Sequence, residues 1–355
     1  MVDIELLRSI LQAPGIPSRE DAIRDLVAGH MKPLVDELSI DPLGNLIGVK
    51  HGARNGPRVM IAAHVDEIGF FVKYIDDRGF IRLQPVGGFD PRMLVAHRAI
   101  VHTRSGEALL ALVQPGAKPI HLQQPGEAKD LKIEDIFLDL GLPADDVKAK
   151  VEVGDWVTMQ SAPEVLGSTV TSKTLDDRLC VYIMIEAMRR LGAHEAEIFA
   201  VAKTQEEVGL REARDAAFAV DPEIGIALDV TIAGDIPGTP PESAVTTLHN
   251  GVAIKIFDSS HISNPKLVAH LRDLAEEKSI PHQLEILPRG GTDAGAMQQV
   301  TNGAAVATLA VPTRYVHSVN ETASLADIDA TISLLVAFLE AAGSRSYAYD
   351  LPKGA

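Results

Sequence analysis

The order of apolar and polar positions along the chain predicts helices and strands from its first residues onward. Ser18 precedes an acidic turn, and apolar residues then recur at helical spacing through 23–34. The next segment, 38–49, holds a Pro-Leu-Gly-Asn turn and predicts a hairpin. Residues 58–63 form an apolar run, which predicts a buried strand that leads directly into His64.

The pattern changes after about residue 70. Short alternating segments, such as 71–75, 80–83 and 155–159, lie close together with turn residues between them. Strands at this density predict a small all-β barrel or sandwich. Within this region, 118–129 contains two prolines and several polar side chains, which predicts an exposed loop.

From about Ser168 onward, apolar strand candidates alternate with helical segments. The strand candidates are 197–202, 224–228, 252–256 and 304–311, and the helical segments are 179–191, 264–278, 294–300 and 325–342. This alternation predicts an α/β fold, a layered α/β/α domain with a mixed sheet. We therefore predict one α/β domain formed by 1–69 and 165–355, with a small all-β, barrel-like domain inserted at 70–164.

Composition and charge exclude several classes of protein. The 355 residues include 33 Lys and Arg against 49 Asp and Glu, a net charge of −16, and 46% are hydrophobic. This is globular composition, which excludes disordered, collagen-like and coiled-coil chains. Nucleic acids and anionic membranes are bound mainly through clustered cations, so we expect neither as a partner. The longest uncharged stretch, 294–313, contains glutamines and glycines and predicts no membrane span.

Cysteine usage and the start of the chain indicate a compartment. The single cysteine, Cys180, permits no disulfide within the chain, which fits a reducing environment. Residues 1–10 carry Asp3, Glu5 and Arg8 and lack the basic and apolar regions of a signal peptide. We therefore expect a cytoplasmic protein. Cys180 lies in an apolar helical segment, which favours a core residue over a nucleophile.

Five short polar patches stand out, and four of them directly follow a predicted apolar strand. The patches are 63–67, 174–178, 204–208, 228–230 and 314–318. In open α/β sheets, functional groups gather at the carboxyl ends of the strands. A carboxylate beside a dry core needs a partner. Histidines and carboxylates at one sheet edge suit a divalent metal ion, so the patches predict a metal site there.

Most of these side chains also have a simpler interpretation when each is taken alone. His64 or His317 could be a histidine satisfied by a local hydrogen bond. Asp176 at the start of a helix could simply stabilise the helix dipole, and Asp229 could be a turn or cap residue. The glycine turn at 289–293 could approach a substrate or cap the next helix.

Two pairs of neighbouring residues point more directly to chemistry. Glu206 and Glu207 are adjacent carboxylates, which repel. They could lie in a solvated acidic loop, or one could be a metal ligand and the other a free base, which would remove the repulsion. A metal-binding histidine usually donates its second N–H to a carboxylate or carbonyl, which favours Asp66 as the partner of His64. Gly-x-Ser-x-Gly, Walker A, Gly-x-Gly-x-x-Gly and His-Glu-x-x-His motifs do not occur.

Taken together, the patches resemble the dinuclear-metal aminopeptidases of the tetrahedral (TET) type. This family includes glutamyl aminopeptidases, and its members are sometimes labelled endoglucanases or cellulases. The resemblance extends over essentially the whole chain, from the Ala-Pro-Gly at 13–15 through the 289–294 turn to the C-terminal helix. Each motif alone is weak, but five in the family's order and spacing are specific. Glu212 departs from the family pattern, which usually has glycine there, and the insert is less similar than the rest.

The resemblance implies five metal ligands and two catalytic groups. The implied ligands of the first ion are His64, Asp176 and Asp229. Asp176 would bridge to the second ion, whose other implied ligands are Glu207 and His317. Glu206 would be the general base and Asp66 the acid that orients His64. The cofactor would be two divalent ions per subunit, with zinc expected and cobalt or manganese as alternatives. The implied reaction is hydrolysis of the N-terminal peptide bond of short peptides by an activated water.

The resemblance also implies an assembly. The inserted β domain would be the dimerisation domain, and the chain would be a homo-oligomer built from dimers. In the family, dimers commonly assemble into hollow tetrahedral dodecamers.

Three other functions stay open on the sequence. A glycan hydrolase needs two carboxyl groups that flank a sugar bond and no metal pair, so the histidines would have no role. A related dinuclear exopeptidase could remove C-terminal residues or acyl groups instead. A non-catalytic shell protein of the same fold would favour loss of a ligand, yet all five positions hold competent residues.

Overall fold

The computed structural model describes residues 2–53, 56–118, 120–122, 130–209 and 211–349. In these ranges the α-helices are α1 (Ile4–Gln12), α2 (Asp21–Met31), α3 (Ala144–Lys150), α4 (Leu175–Arg190), α5 (Arg211–Val220), α6 (Pro265–Glu277), α7 (Ala294–Gln298) and α8 (Leu325–Ala341). The strands before α4 are β1 (Glu37–Ile40), β2 (Leu46–Lys50), β3 (Arg58–His64), β4 (Gly69–Ile75), β5 (Ile81–Val86), β6 (Arg98–His102), β7 (Ala108–Pro115), β8 (Ile136–Asp139), β9 (Trp156–Met159), β10 (Glu164–Leu166) and β11 (Thr169–Ser172). The later strands are β12 (Glu197–Lys203), β13 (Ile224–Ile232), β14 (Val252–Phe257), β15 (His282–Ile286), β16 (Ala305–Arg314) and β17 (Glu321–Ser324).

One large mixed sheet has a parallel centre. Its order is β1-β2-β12-β3-β13-β16-β17-β11-β10, and β14 pairs with β16 and β15 beside this path. Strands β12, β3, β13 and β16 run parallel, whereas β17, β11 and β10 continue the sheet by antiparallel pairing. Parallel strands end at the same edge, so the residues that follow them meet there.

Alternate side chains of the central strands face two layers of helices. In β3, Val59, Ile61 and Ala63 pack in the core that includes α1, α2, α4, α6 and α8. Met60 and Ala62 pack in the opposite core, with α5 and α7. Successive side chains of a strand point to opposite faces, so burial on both faces produces a continuous apolar run. These layers confirm the predicted α/β/α fold with a mixed sheet.

A closed antiparallel barrel lies between Gly69 and Met159. Its strands follow the order β4-β5-β8-β7-β6-β9, and β9 pairs back with β4. The barrel has its own apolar core, in which Ile81, Val101 and Leu138 are fully buried. The barrel-like fold predicted for this region is therefore confirmed.

Several short elements were not predicted from the sequence. Strands β11 and β17 read Thr-Val-Thr-Ser and Glu-Thr-Ala-Ser, so they lack an apolar run, and they pair with each other. Strand β15 and helix α3 were also missed, and helix α7 ends at Gln298 rather than at residue 300. Much of the loop predicted at 118–129 falls outside the described residues. Among the helices of the described ranges, none has the length and apolar character required to cross a bilayer.

Candidate metal centre

Four of the five polar patches lie at the carboxyl edge of the parallel strands. His64 is the last residue of β3, Glu206 follows β12, and His317 follows β16. Asp229 lies within β13, the strand between β3 and β16 in the sheet. Asp176 lies at the start of α4, four residues after the end of the unpredicted strand β11. The sheet therefore brings together residues that the barrel and the helices separate in sequence.

Asp176 lies between two histidines and directs one carboxylate oxygen towards each. Its Oδ1 is 3.2 Å from His64 Nε2, and its Oδ2 is 3.3 Å from His317 Nε2. His64 Nε2 is also 3.7 Å from Glu206 Oε2, and His317 Nε2 is 3.5 Å from Glu207 Oε2. The His64 side chain is buried, whereas that of His317 is 35% exposed, so the group opens to solvent on the His317 side.

Three overlapping groups of donor atoms could each hold a metal ion. The groups are His64 with Asp176 and Asp229, His64 with Glu206 and Glu207, and Asp176 with Glu207 and His317; within each group the donor atoms lie within 4.8 Å of one another. Imidazole and carboxylate donors suit zinc, cobalt or manganese. The structure thus brings all five sequence-predicted ligands together with Glu206. We refer to these six residues as the ligand cluster.

Carboxyl groups outnumber histidines by four to two in the ligand cluster. Burial raises the pKa of Glu207 well above its ordinary value, and the charge of Asp176 raises it further. Burial also raises the pKa of Asp229, with added repulsion from Asp177 and Asp176. Removing carboxylates from water and placing them beside one another both disfavour ionisation. A divalent cation would offset both effects, so the donor set fits a metal ion.

The two histidines and Asp176 stabilise each other's charged forms. Burial alone would raise the pKa of Asp176, but hydrogen bonds from His317 and His64 bring it below its ordinary value. Burial lowers the pKa of His317, yet Asp176 outweighs this effect and raises it to about 10. For His64, burial is outweighed by the charge of Glu206 and the bond to Asp176, so its pKa is also raised. Both histidines must therefore release a proton before they bind a metal ion.

Glu206 has the properties of a proton-transfer group. Burial raises its pKa to about 7, although the nearby charges of His64 and Lys203 oppose the shift. Lys203 is itself buried and pairs with Asp293 in the turn that the sequence analysis singled out. A carboxyl group whose pKa lies near neutral pH can both accept and donate a proton under operating conditions.

The Asp66 carboxylate holds the backbone of both glutamates. Its Oδ1 accepts a hydrogen bond from the Glu206 N–H and its Oδ2 accepts one from the Glu207 N–H, both at 3.1 Å. His64 Nδ1 lies 3.1 Å from the backbone oxygen of Asp66 and 3.4 Å from Asp66 Oδ1. Strand β3 ends at His64, so Asp66 lies in the loop beyond the strand. The loop allows one residue to contact both His64 and the glutamate pair.

Left-handed backbone conformations occur in three of the loops that carry the ligand cluster. Thr174 has φ 64°, Gln205 has φ 53° and His317 has φ 64°. A non-glycine residue in this conformation costs roughly 1–2 kcal/mol, and such residues concentrate at functional sites. The sequence gives no sign of these turns, because none of the three positions is a glycine.

A buried ionic network behind the ligand cluster was missed by the sequence analysis. Glu67 pairs with Lys173 through one oxygen, and its other oxygen lies 3.2 Å from Arg178 Nη2. Arg178 also donates to the backbone oxygens of Val65 at 2.8 Å and Gly15 at 3.1 Å. Glu67 and Arg178 belong to two of the polar patches. Their pairing joins distant parts of the chain, so no local pattern could predict it.

A cleft of about 380 Å³ opens over the ligand cluster. The turn at 289–292 lines one side of it, together with Lys255 and Leu287. Of the two roles considered for this glycine turn, the position beside the cleft fits approach to a substrate. Asp293 does begin helix α7, but its side chain makes no cap hydrogen bond.

A second group of buried charges, the lysine cluster, consists of Lys255, Asp258, His261 and Glu285. Lys255 Nζ lies 3.2 Å from Glu285 Oε1 and 3.5 Å from Asp258 Oδ2. Asp258 Oδ1 is 3.0 Å from His261 Nδ1. Glu285 Oε1 also accepts a hydrogen bond from Thr231 Oγ1 at 2.6 Å. Each carboxylate of this cluster therefore has a basic partner.

Comparisons of the sequence and of the structure with known proteins agree on one family. The M42 glutamyl aminopeptidase family model matches residues 44–334. The lysyl aminopeptidase of Pyrococcus furiosus is 40% identical over 347 residues, which covers 96% of this chain and 97% of that protein. The structure of an aminopeptidase from Desulfurococcus kamchatkensis is similar with a TM-score of 0.91 and 38% identity, covering 95% of this chain and 94% of that one.

A further solved structure concerns assembly. The TET1 peptidase of Pyrococcus horikoshii, described as able to assemble into a tetrahedron or a large octahedral shell, matches with a TM-score of 0.83 and 30% identity. The match covers 95% of this chain and 98% of that one. The fold and the clustered donors thus define a hydrolase of the aminopeptidase class, an exopeptidase. The chain belongs to the M42 family of aminopeptidases. The resemblance drawn from the five patches is confirmed.

Proposed function

We propose that this aminopeptidase depends on metal ions and releases N-terminal residues from short peptides. One observation carries the proposal: Asp176 directs its two oxygens towards His64 and His317 and belongs to two overlapping donor groups. A carboxylate shared between two donor groups suits a pair of ions. The raised pKa values of the buried Glu207 and Asp229 support the same conclusion, because nearby cations would favour their ionised forms.

Two of the three donor groups take an ion in this proposal. His64, Asp176 and Asp229 would hold one ion, and Asp176, Glu207 and His317 would hold the other. When bound, two divalent ions, zinc or else cobalt or manganese, would supply the Lewis acidity that polarises the scissile carbonyl and lowers the pKa of the attacking water. The remaining chemistry belongs to side chains of this chain.

Glu206 is the proposed general base. Its carboxylate lies beside the ligands, with Oε2 3.7 Å from His64 Nε2, and belongs to neither set of proposed ligands. It is therefore placed to accept the proton that leaves the attacking water and then to donate that proton to the nitrogen of the departing peptide. Asp66 is the proposed positioning residue, because its carboxylate fixes the backbone of Glu206 and Glu207 while its backbone oxygen contacts His64. Asp66 makes both of these contacts without having to touch the substrate.

The barrel is proposed as the dimerisation domain, with the division 1–69 and 165–355 against 70–164. Strand β7 alternates buried and outward residues, and the outward Leu110 and Leu112 are 51% and 45% exposed. Neighbouring apolar side chains on a surface favour contact with another protein. We further propose that such dimers form a homo-oligomer, up to a tetrahedral dodecamer, in the cytoplasm.

The proposal is tested with one preparation on several substrates. Dialysis against a chelator is expected to abolish hydrolysis of aminoacyl-p-nitroanilides, and added zinc or cobalt is expected to restore it. Peptides with an acetylated N-terminus should resist cleavage, which separates this activity from removal of acyl groups or C-terminal residues. Carboxymethylcellulose should remain intact. Full activity in protein shown by metal analysis to hold no metal would contradict the proposal, and inactivity on every free-amine substrate would favour a shell protein.

A further inference from the structure

Three buried carboxylates hold the backbone of the ligand cluster without belonging to it. Asp66 accepts from the two glutamate amides, as described above. Asp177 Oδ2 accepts from the His64 N–H at 3.1 Å. Glu321 accepts from two amides: its Oε2 from the Asp176 N–H at 3.0 Å and its Oε1 from the His317 N–H at 2.8 Å.

The sheet explains the position of Glu321. It is the first residue of β17 and lies opposite Ser172 of β11 in the antiparallel register. Strand β11 leads into Asp176, and the loop before β17 carries His317. The Glu321 side chain is therefore placed between these two segments, where it is only 2% exposed.

We propose that Glu321 is a positioning residue for the second metal ion. The inference rests on the proposed function, since it takes Asp176 and His317 as ligands of that ion. Glu321 belongs to none of the donor groups found among the described residues, so it acts through their backbone rather than as a ligand. Its bond to the His317 N–H holds a histidine in a left-handed conformation that L residues rarely adopt.

The three carboxylates divide the site between them. Asp177 and Asp66 hold His64 and the two glutamates, whereas Glu321 holds the shared Asp176 and His317. The first ion keeps His64 and Asp229, whose amides do not bond to Glu321. Glu321 therefore supports two ligands of the second ion but only the shared Asp176 of the first. Its loss should weaken the second ion more than the first, which loss of general stability would not do.

The test is a zinc titration of the full-length, chelator-treated protein, followed by calorimetry and by competition with a chelator of known affinity. Wild type should bind two ions. Glu321→Ala should weaken the second ion by roughly 10- to 100-fold, the usual effect of losing a group that supports metal ligands. The first ion should change by less than about threefold. Glu321→Gln has one oxygen for two amides, so it should give a smaller but measurable loss, and it decides the question if the alanine variant does not fold.

Asp327 provides a matched control. Its carboxylate is 1% exposed and also accepts two backbone N–H groups, from His249 and Gly251, each at 2.8 Å. Asp327→Ala should lower the melting temperature but leave both zinc affinities within about threefold of wild type. Equal weakening of both ions by the Glu321 variants, or no weakening in Glu321→Gln, would overturn the inference. Wild type that binds fewer than two ions would instead contradict the two-ion function itself.

Discussion

The ligand cluster and the lysine cluster are both groups of buried ionisable residues, yet their carboxylates have different partners. In the lysine cluster, Lys255 lies between the carboxylates of Asp258 and Glu285, and His261 contacts Asp258. In the ligand cluster, four carboxylates surround two histidines, and no lysine or arginine belongs to the group. A buried carboxylate paired with a lysine is suited to support a fold, whereas clustered carboxylates and imidazoles are suited to hold a metal ion.

The largest effect is expected from a glutamate-to-glutamine substitution in the ligand cluster. Glu206→Gln removes the group that accepts and donates the proton, so kcat should fall by at least about 10²-fold. Glu206 is not among the proposed ligands, so the variant should still bind two zinc ions. Kinetics on an aminoacyl-p-nitroanilide, with zinc measured on the same sample, tests both statements. Turnover close to wild type would remove Glu206 from its role.

The matching substitution in the lysine cluster, Glu285→Gln, should instead affect stability. It removes a charged partner of buried Lys255, which costs about 3–5 kcal/mol when no other group compensates, and less here because Asp258 stays near. Zinc content should remain at two ions. Thermal unfolding and metal analysis measure these effects separately. Zinc loss in this variant with unchanged stability would show that the two clusters are not independent.

A change of pH is expected to have a smaller effect on stability, and this effect should differ between the zinc-free and the zinc-loaded protein. The pKa of Glu206 is raised to about 7 and that of His317 to about 10, so the folded zinc-free protein binds more protons than the unfolded chain. The contribution of these two groups to the stability of the zinc-free protein should therefore fall as pH rises from about 4.5 towards 10. Zinc displaces those protons, so the stabilisation by zinc should grow with pH.

Melting temperatures at pH 5.5 and pH 8, with and without zinc, measure this trend. Glu206→Gln serves as the control, because it removes one of the two titrating groups and should reduce the pH dependence. A zinc-induced rise in melting temperature that is the same at both pH values would contradict the predicted proton release.

The elements that could be predicted from the sequence are those whose pattern follows from burial. Strands β3, β12, β13 and β16 are covered on both faces, so each appears as an apolar run, and polar residues at their ends mark one edge of the sheet. The dense short strands of the barrel are visible for a similar reason. These two patterns were enough to predict the fold class and a metal site at that edge, whereas the individual ligands were implied by the family resemblance.

The supporting groups could not be predicted, because their partners are distant in sequence. Glu321 lies 145 positions from Asp176, the residue whose amide it holds. Strands β11 and β17, which bring the two together, are polar and short, and they are strands because they pair with each other and with their neighbours β10 and β16. Asp177 looked like part of a helix start, although its carboxylate bonds to the His64 amide. Such contacts depend on register, which no local pattern contains.

The order of the ligands along the chain has a consequence for biosynthesis. Of the five proposed ligands His64 is synthesised first, the barrel and Asp176 follow, and His317 is added last. On the proposed function, a nascent chain lacks a donor of the second ion until residue 317 has been added. The proposed two-ion site would therefore be completed only after the barrel and all the parallel strands have been made.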